Sequence, residues 1–218
     1  MSSITTDLRD IKNLLNQGDY DTAFDFYEML LAEHPGNASI LHDYGLAHYT
    51  IGDHDKALTF FDSALSIVPQ DTIALVAKGE LYAIGYGPTG DFAEAIPLFQ
   101  QVLLFAPHDK TMQVVSYVQI GLIITDAAKK IEAYEAAIKI NNYCFEAHWN
   151  LAGELWKQEK FHESEREWTI VKQIGEQNNQ PIDTAQRYLE CVQQHRSSVP
   201  VGRYVLSILQ PWLSDLIS

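Results

Sequence analysis

The stretch Gly85-Tyr-Gly-Pro-Thr-Gly90 spells GxGxxG, the spacing that cradles a dinucleotide pyrophosphate when a strand precedes it and a helix N-terminus follows. Here a helical pattern precedes it, and no Lys-Ser/Thr pair follows to make it a Walker loop, so the segment reads as an enlarged turn. Eight histidines raise the question of a metal, but there is no HExxH and no two-cysteine, two-histidine arrangement. His42, His48 and His54 stand six apart, a spacing that does not share one helix face. The 29 acidic residues are spread along the chain as on the solvated faces of paired helices rather than as a catalytic pair. No nucleophile has a base at a suitable spacing, and GxSxG is absent. The expectation is a protein that is not an enzyme and that uses no metal and no cofactor.

Composition narrows the partners. The chain has 218 residues, 46% of them apolar, enough for a continuous core. A formal net charge of -14 with 15 lysines and arginines argues against nucleic acid, whose phosphates need clustered cations. Cys144 and Cys191 form no CxxC and read as two core thiols in a reducing compartment. The first ten residues show no basic segment followed by an apolar one, and no run of about 18 apolar residues offers a membrane span. A cytoplasmic location is the expectation.

The elements that position any site are set by an internal repeat of 34 residues. Gly18-Asp19-Tyr20-Asp21-Thr22-Ala23 recurs as Gly52-Asp53-His54-Asp55-Lys56-Ala57 and as Gly90-Asp91-Phe92-Ala93-Glu94-Ala95. Downstream stand Tyr27, Leu30 and Pro35, then Phe61, Ala64 and Pro69, then Phe99, Val102 and Pro107. Weaker copies carry Tyr134, Ala137 and Asn142, then Trp168 and Val171. Small residues at Gly45, Gly79, Gly121 and Ala152, and at Ala23, Ala57, Ala95 and Ser164, let paired helices approach closely. Glycine makes the turn between the helices, aspartate caps the second one and proline stops it.

Leu41, Tyr44-Gly45, Ala57, Phe61, Ala64 and Pro69 together resemble the tetratricopeptide signature. The resemblance implies an all-α fold: a right-handed α-solenoid of about five helix pairs, with a C-terminal capping helix and an extra apolar tail helix. The expected repeat domain spans 4–175, with repeats near 4–37, 38–71, 72–109, 110–144 and 145–178, and 181–218 holds the cap and tail. Three departures stand out. The third repeat is longer by four residues around 84–90. In the fourth, Gly121 lies too near Tyr134, and Lys130 replaces a small residue. In the first, Asp7 and Ile11 occupy places where the family favours a bulky apolar residue and a small one, as a terminal repeat tolerates.

The resemblance also implies that the first helix of each repeat lines a concave, protein-binding groove. Its expected lining is His42, Leu46, Tyr49, Val76, Glu80, Trp149 and Trp156, with Leu8, Leu15, Ala83, Val115 and Leu122 at corresponding places. Members that clamp acidic chaperone tails set Lys, Asn and Arg along the groove. Here Lys12 is isolated, and His42, Asp43, Val76 and Ala77 stand at the corresponding places. The lining looks more like members that shield an amphipathic segment, such as the secretion chaperones of bacterial translocators. The expected partner is therefore another protein offering an apolar peptide or helical segment, with Glu80 and Glu146 favouring basic residues in it. The function expected is a scaffold or chaperone-like adaptor. The alternative is a structural subunit of a fixed complex held through the apolar tail 199–218, which would also serve a homodimer.

Overall fold

A computed structural model describes residues 4–196. The described residues form eleven α-helices and no strand: α1 (Ile4–Gln17), α2 (Tyr20–Glu33), α3 (Ala38–Thr50), α4 (His54–Ile67), α5 (Thr72–Leu81), α6 (Ala95–Phe105), α7 (Lys110–Ile123), α8 (Ala127–Ile140), α9 (Phe145–Lys157), α10 (Phe161–Asn178) and α11 (Asp183–Arg196). The chain divides into two compact units between Ala147 and His148. The expected tail 199–218 and the Cys191 side chain lie outside the described residues. Cys144 is buried, free and held above the usual thiol range, by burial first and by the neighbouring Glu146.

In the first unit the helices pair antiparallel along the chain as an all-α solenoid. Their starts are fixed by side-chain oxygens that accept from helix N–H groups left without an intrahelical partner. Asp19 accepts from Thr22, Asp53 from Lys56 and Asp126 from Lys129 at the second helix of a pair. Asn37, Asp71 and Asp109 do the same for α3, α5 and α7. The second helices end where the N–H of His34, Val68 and Ala106 bonds back four residues, and the proline that follows cannot continue the helix.

Packing between paired helices repeats one contact. A Cβ added to Gly45 would come within 2.6 Å of the Phe61 ring, one added to Gly79 within 2.8 Å of Phe99, and one added to Gly121 within 2.5 Å of Tyr134. Phe61 and Phe99 are wholly buried, each burial contributing about 1.5–3 kcal/mol. The third contact explains the irregular fourth repeat. Gly121 comes two residues before the end of α7, where Gly45 comes five before the end of α3, so across an equally long turn the glycine and aromatic meet at a shorter chain separation. Lys130 is half-buried beside Ile131, which is buried along with Ala133, Tyr134 and Ala137. At Ile11 the terminal repeat fills the glycine's place with a side chain only 1% exposed, in a cluster with Ala23, Tyr27 and Tyr44.

In the second unit Ala152 and Ser164 meet directly, the Ser164 hydroxyl donating to the Ala152 carbonyl at 2.7 Å. The turn between α9 and α10 copies the hydrogen bonds of the Gly18 and Gly52 turns without a glycine. Glu159 N–H donates to Trp156 and Lys160 N–H to Leu155, as Gly52 and Asp53 donate to Tyr49 and His48. Glu159 therefore sits at φ 60°, a left-handed conformation that a side chain resists, and Lys160 provides no capping oxygen. Glu159→Gly is expected to stabilise the second unit by about 1 kcal/mol, read as a raised midpoint in urea denaturation.

Candidate functional site

Within α3 the residues turned into the fold are Ala38, Ile40, Leu41, His42, Tyr44, Gly45, Ala47 and His48; within α5 they are Ala74, Leu75, Ala77, Gly79 and Leu81. Leu46 and Tyr49 on α3, and Val76, Glu80 and Ala83 on and just after α5, are left half-buried. Spacings of three, four and seven place them on one face of each helix. Leu46 and Tyr49 pack against the cluster of Leu41, Ala57, Phe61, Ala77 and Leu81 with their outer sides open. The two helices are neighbours that share this buried cluster. Burial first, and then the charge of Glu80, raises the Tyr49 phenol above its ordinary range. Burial also raises the Glu80 carboxyl.

His42 occupies a different position from its expected groove companions. It is 8% exposed, and its Nδ1 stands 2.6 Å from Asp71 Oδ2, with Asp43 3.6 Å from Nε2. Asp71 uses its other oxygen to cap α5, so His42 joins repeat two to the start of repeat three. Burial lowers the imidazole pKa, but the hydrogen bond and charge of Asp71, with the charge of Asp43, leave it raised overall. Leu8 and Leu15 pack against the Ile11 cluster, whereas Leu122 is 49% exposed.

Trp149 and Trp156 belong to an aromatic cluster of the second unit. Trp149 meets Trp168 edge to face at 5.1 Å; Trp156 meets Phe161 at 4.6 Å and Tyr188 of α11 at 4.7 Å. Each tryptophan is half-buried, so these rings hold α9, α10 and α11 together while keeping part of their surface open.

Two features escaped the sequence. An open depression of about 520 Å³ lies between α2, α3 and α4, lined by Glu28, Leu31, Tyr44, His48, Lys56 and Phe60. Its base is a stack of rings, with His48 between Phe24 at 4.6 Å and Phe60 at 5.4 Å. The second is the conformation of the Gly-rich turn, which the sequence marks only as enlarged. Tyr82–Tyr86 forms a π-helical turn, Gly85 reverses the chain at φ 94°, and Tyr86 is brought edge-on to the His54 ring at 4.6 Å. No strand or phosphate cradle is formed there. Among the described residues no group of three or more His, Cys, Asp or Glu could hold a metal, and no helix is long and apolar enough to cross a membrane.

Paired helices with a recurring glycine–aromatic contact and capped starts define an all-α helical-repeat protein. A tetratricopeptide-repeat family model matches residues 14–79, a segment that spans α2 to α4 and most of α5. No curated protein matches the chain in sequence. Among solved structures it is similar to MamA (residues 41 to the end) from Desulfovibrio magneticus RS-1, at 20% identity over 79% of this chain and 95% of that one, with a TM-score of 0.66. It is similar to TTC0263, a thermophilic tetratricopeptide protein of Thermus thermophilus, at 17% identity over 88% and 100% of the two chains and a TM-score of 0.62. A third similar structure is YrrB, described as a tetratricopeptide protein with an unusual peptide-binding site, at 13% identity over 86% and 90% and a TM-score of 0.62. At these identities the likeness concerns the fold.

Proposed function

We propose that the chain is a non-catalytic protein-interaction module that holds an apolar or amphipathic segment of another protein on the face formed by α3 and α5, acting as a scaffold or chaperone-like adaptor. The observation that carries this reading is the row of half-buried side chains Leu46, Tyr49 and Val76 on two adjoining helices whose other faces are already packed. Apolar groups left at a surface that rigid helices hold in place are suited to receive a partner without reorganisation. Ligand recognition by a peptide-binding member of the same fold, YrrB, is in keeping with it. His42 is buried at the junction of the second and third repeats, and Trp149 and Trp156 offer a separate aromatic contact on the second unit.

The test is binding with the lining removed. Both side chains are already half-buried, so a partner covers about half of each, about 0.75–1.5 kcal/mol apiece, and a Tyr49→Ala, Val76→Ala double variant should bind its partner roughly 10- to 100-fold more weakly. Partners captured by wild-type protein would be titrated against both forms by calorimetry, with circular dichroism melting as the folding control. Equal affinity in a folded double variant would refute this face as the binding surface.

A further inference from the structure

The enlarged turn of the third repeat has no counterpart in the other repeats, and it is built rather than slack. Thr89 is fastened to Glu94 twice, its N–H donating to Oε2 at 3.2 Å and its hydroxyl to Oε1 at 3.0 Å. Gly87 has no room for a Cβ because the Glu94 carboxylate lies against it. Gly85 and Gly90 take φ 94° and 73°, conformations that carry the chain outward and back. This arrangement delivers Tyr86, 43% exposed, to His54, whose ring is in turn 5.7 Å from Tyr49. Tyr49 feels the charge of Glu80.

Glu80 is the unfilled member of this chain of neighbours. It is half-buried, yet it makes no hydrogen bond and no ion pair with any described residue. The nearest lysine in sequence, Lys78, is committed elsewhere: its Nζ lies 2.5 Å from Asp62 and 5.3 Å from the Tyr82 ring centroid. Residues two apart on a helix do not face each other, so Lys78 cannot serve both carboxylates. A carboxylate drawn partly out of water without a cation is unfavourable until one arrives. Neighbouring ring faces add attraction for that cation, and a net charge of -14 draws basic partners toward the chain.

We propose that the four-residue insertion of the third repeat builds the outer wall of a cation-binding notch, in which the Glu80 carboxylate and the rings of Tyr49, His54 and Tyr86 receive a lysine or arginine side chain of the bound segment. This rests on the α3–α5 face being the binding surface and specifies what the segment must carry: a basic residue adjoining the apolar ones that cover Leu46 and Val76. The insertion thereby selects among apolar segments instead of merely lengthening a loop.

The experiment is a selection of displayed random 12-residue peptides on wild-type protein, Glu80→Gln, Glu80→Lys, Tyr86→Ala and Leu46→Glu. Peptides retained by wild type should combine apolar residues with lysine or arginine. Individually synthesised, they should bind Glu80→Gln at least tenfold more weakly and Tyr86→Ala several-fold more weakly, while their lysine-to-glutamine versions bind all three forms alike. Glu80→Lys should select acidic residues instead. Basic enrichment that persists on Glu80→Gln overturns the notch, and indifference to Tyr86→Ala overturns the role of the insertion. Apolar peptides selected without basic preference overturn the notch but leave the binding face standing. Failure to retain anything above Leu46→Glu overturns both. Glu80→Gln is nearly isosteric and breaks no bond of the fold, so its melting temperature should match wild type.

Discussion

Ala57→Arg should unfold the second repeat, lowering the stability of the first unit by more than about 4 kcal/mol at 25 °C. Ala57 is 0% exposed, in one cluster with Ala38, Leu41, Phe61, Ala64, Ala74, Ala77 and Leu81. This cluster draws on α3, α4 and α5 together, so a side chain forced into it separates a helix pair and also the next repeat. Overpacking by extra methylenes alone costs about 1–3 kcal/mol, and a guanidinium without a buried counter-charge adds its desolvation. Thr59→Arg, on the exposed side of the same helix, should change stability by less than about 0.5 kcal/mol. Urea unfolding followed by circular dichroism checks the pair. Similar midpoints for both variants would mean that Ala57 is not at the helix contact.

The same cluster shows why so much of the fold was legible. Glycine opposite an aromatic, alanine four residues before that aromatic, and an aspartate or asparagine at most helix starts are local requirements of close helix pairing, and they recur in the sequence at fixed spacing. The fourth repeat was harder because its spacing changes and Lys130 stands in the small residue's place. Gly121 still meets Tyr134 across a turn of ordinary length, but it stands eleven residues into α7, where Gly45 and Gly79 stand seven into α3 and α5. Glu159 escaped for the opposite reason: its turn keeps the hydrogen bonds of the glycine turns while the residue that signals them is missing. The site was partly legible. Helical spacing is enough to put Leu46, Tyr49, Val76 and Glu80 on exposed faces, but it does not reveal that Asp71 reaches His42 or that Tyr86 folds back on His54. Asp71 did carry a signal, since it stands in register with Asn37 and Asp109 as a helix cap, and a cap has a second oxygen to offer. For the insertion, no spacing rule says where a π-helical turn will send a ring.

His42→Gln should lower stability by about 2 kcal/mol near pH 6 and by distinctly less at pH 8.5, the magnitude being that of one charge-assisted hydrogen bond. The imidazole is raised in the folded protein: burial opposes its charge, but the Asp71 hydrogen bond and charge, with Asp43, outweigh that. A raised histidine contributes stability that is fully present below its unfolded value of about 6.5 and is lost as pH climbs through the folded one. Asp71 is lowered, its burial being outweighed by His42 and by the N–H groups of Ala74 and Ile73. Its contribution is present above the unfolded aspartate value and disappears as pH falls through the folded one. The pair therefore stabilises most between the ordinary carboxylate and imidazole ranges. His48 acts the other way: burial, its largest influence, lowers it despite Asp53, so its contribution is lost on acidification. For that reason the informative quantity is the difference between wild type and His42→Gln, measured by urea unfolding at pH 5.5, 6.5, 7.5 and 8.5, in which His48 cancels. The difference should shrink with rising pH. A difference that is flat or grows would mean that His42 is neutral in the folded chain and that Asp71 holds it by an uncharged hydrogen bond, leaving the junction of the second and third repeats indifferent to pH.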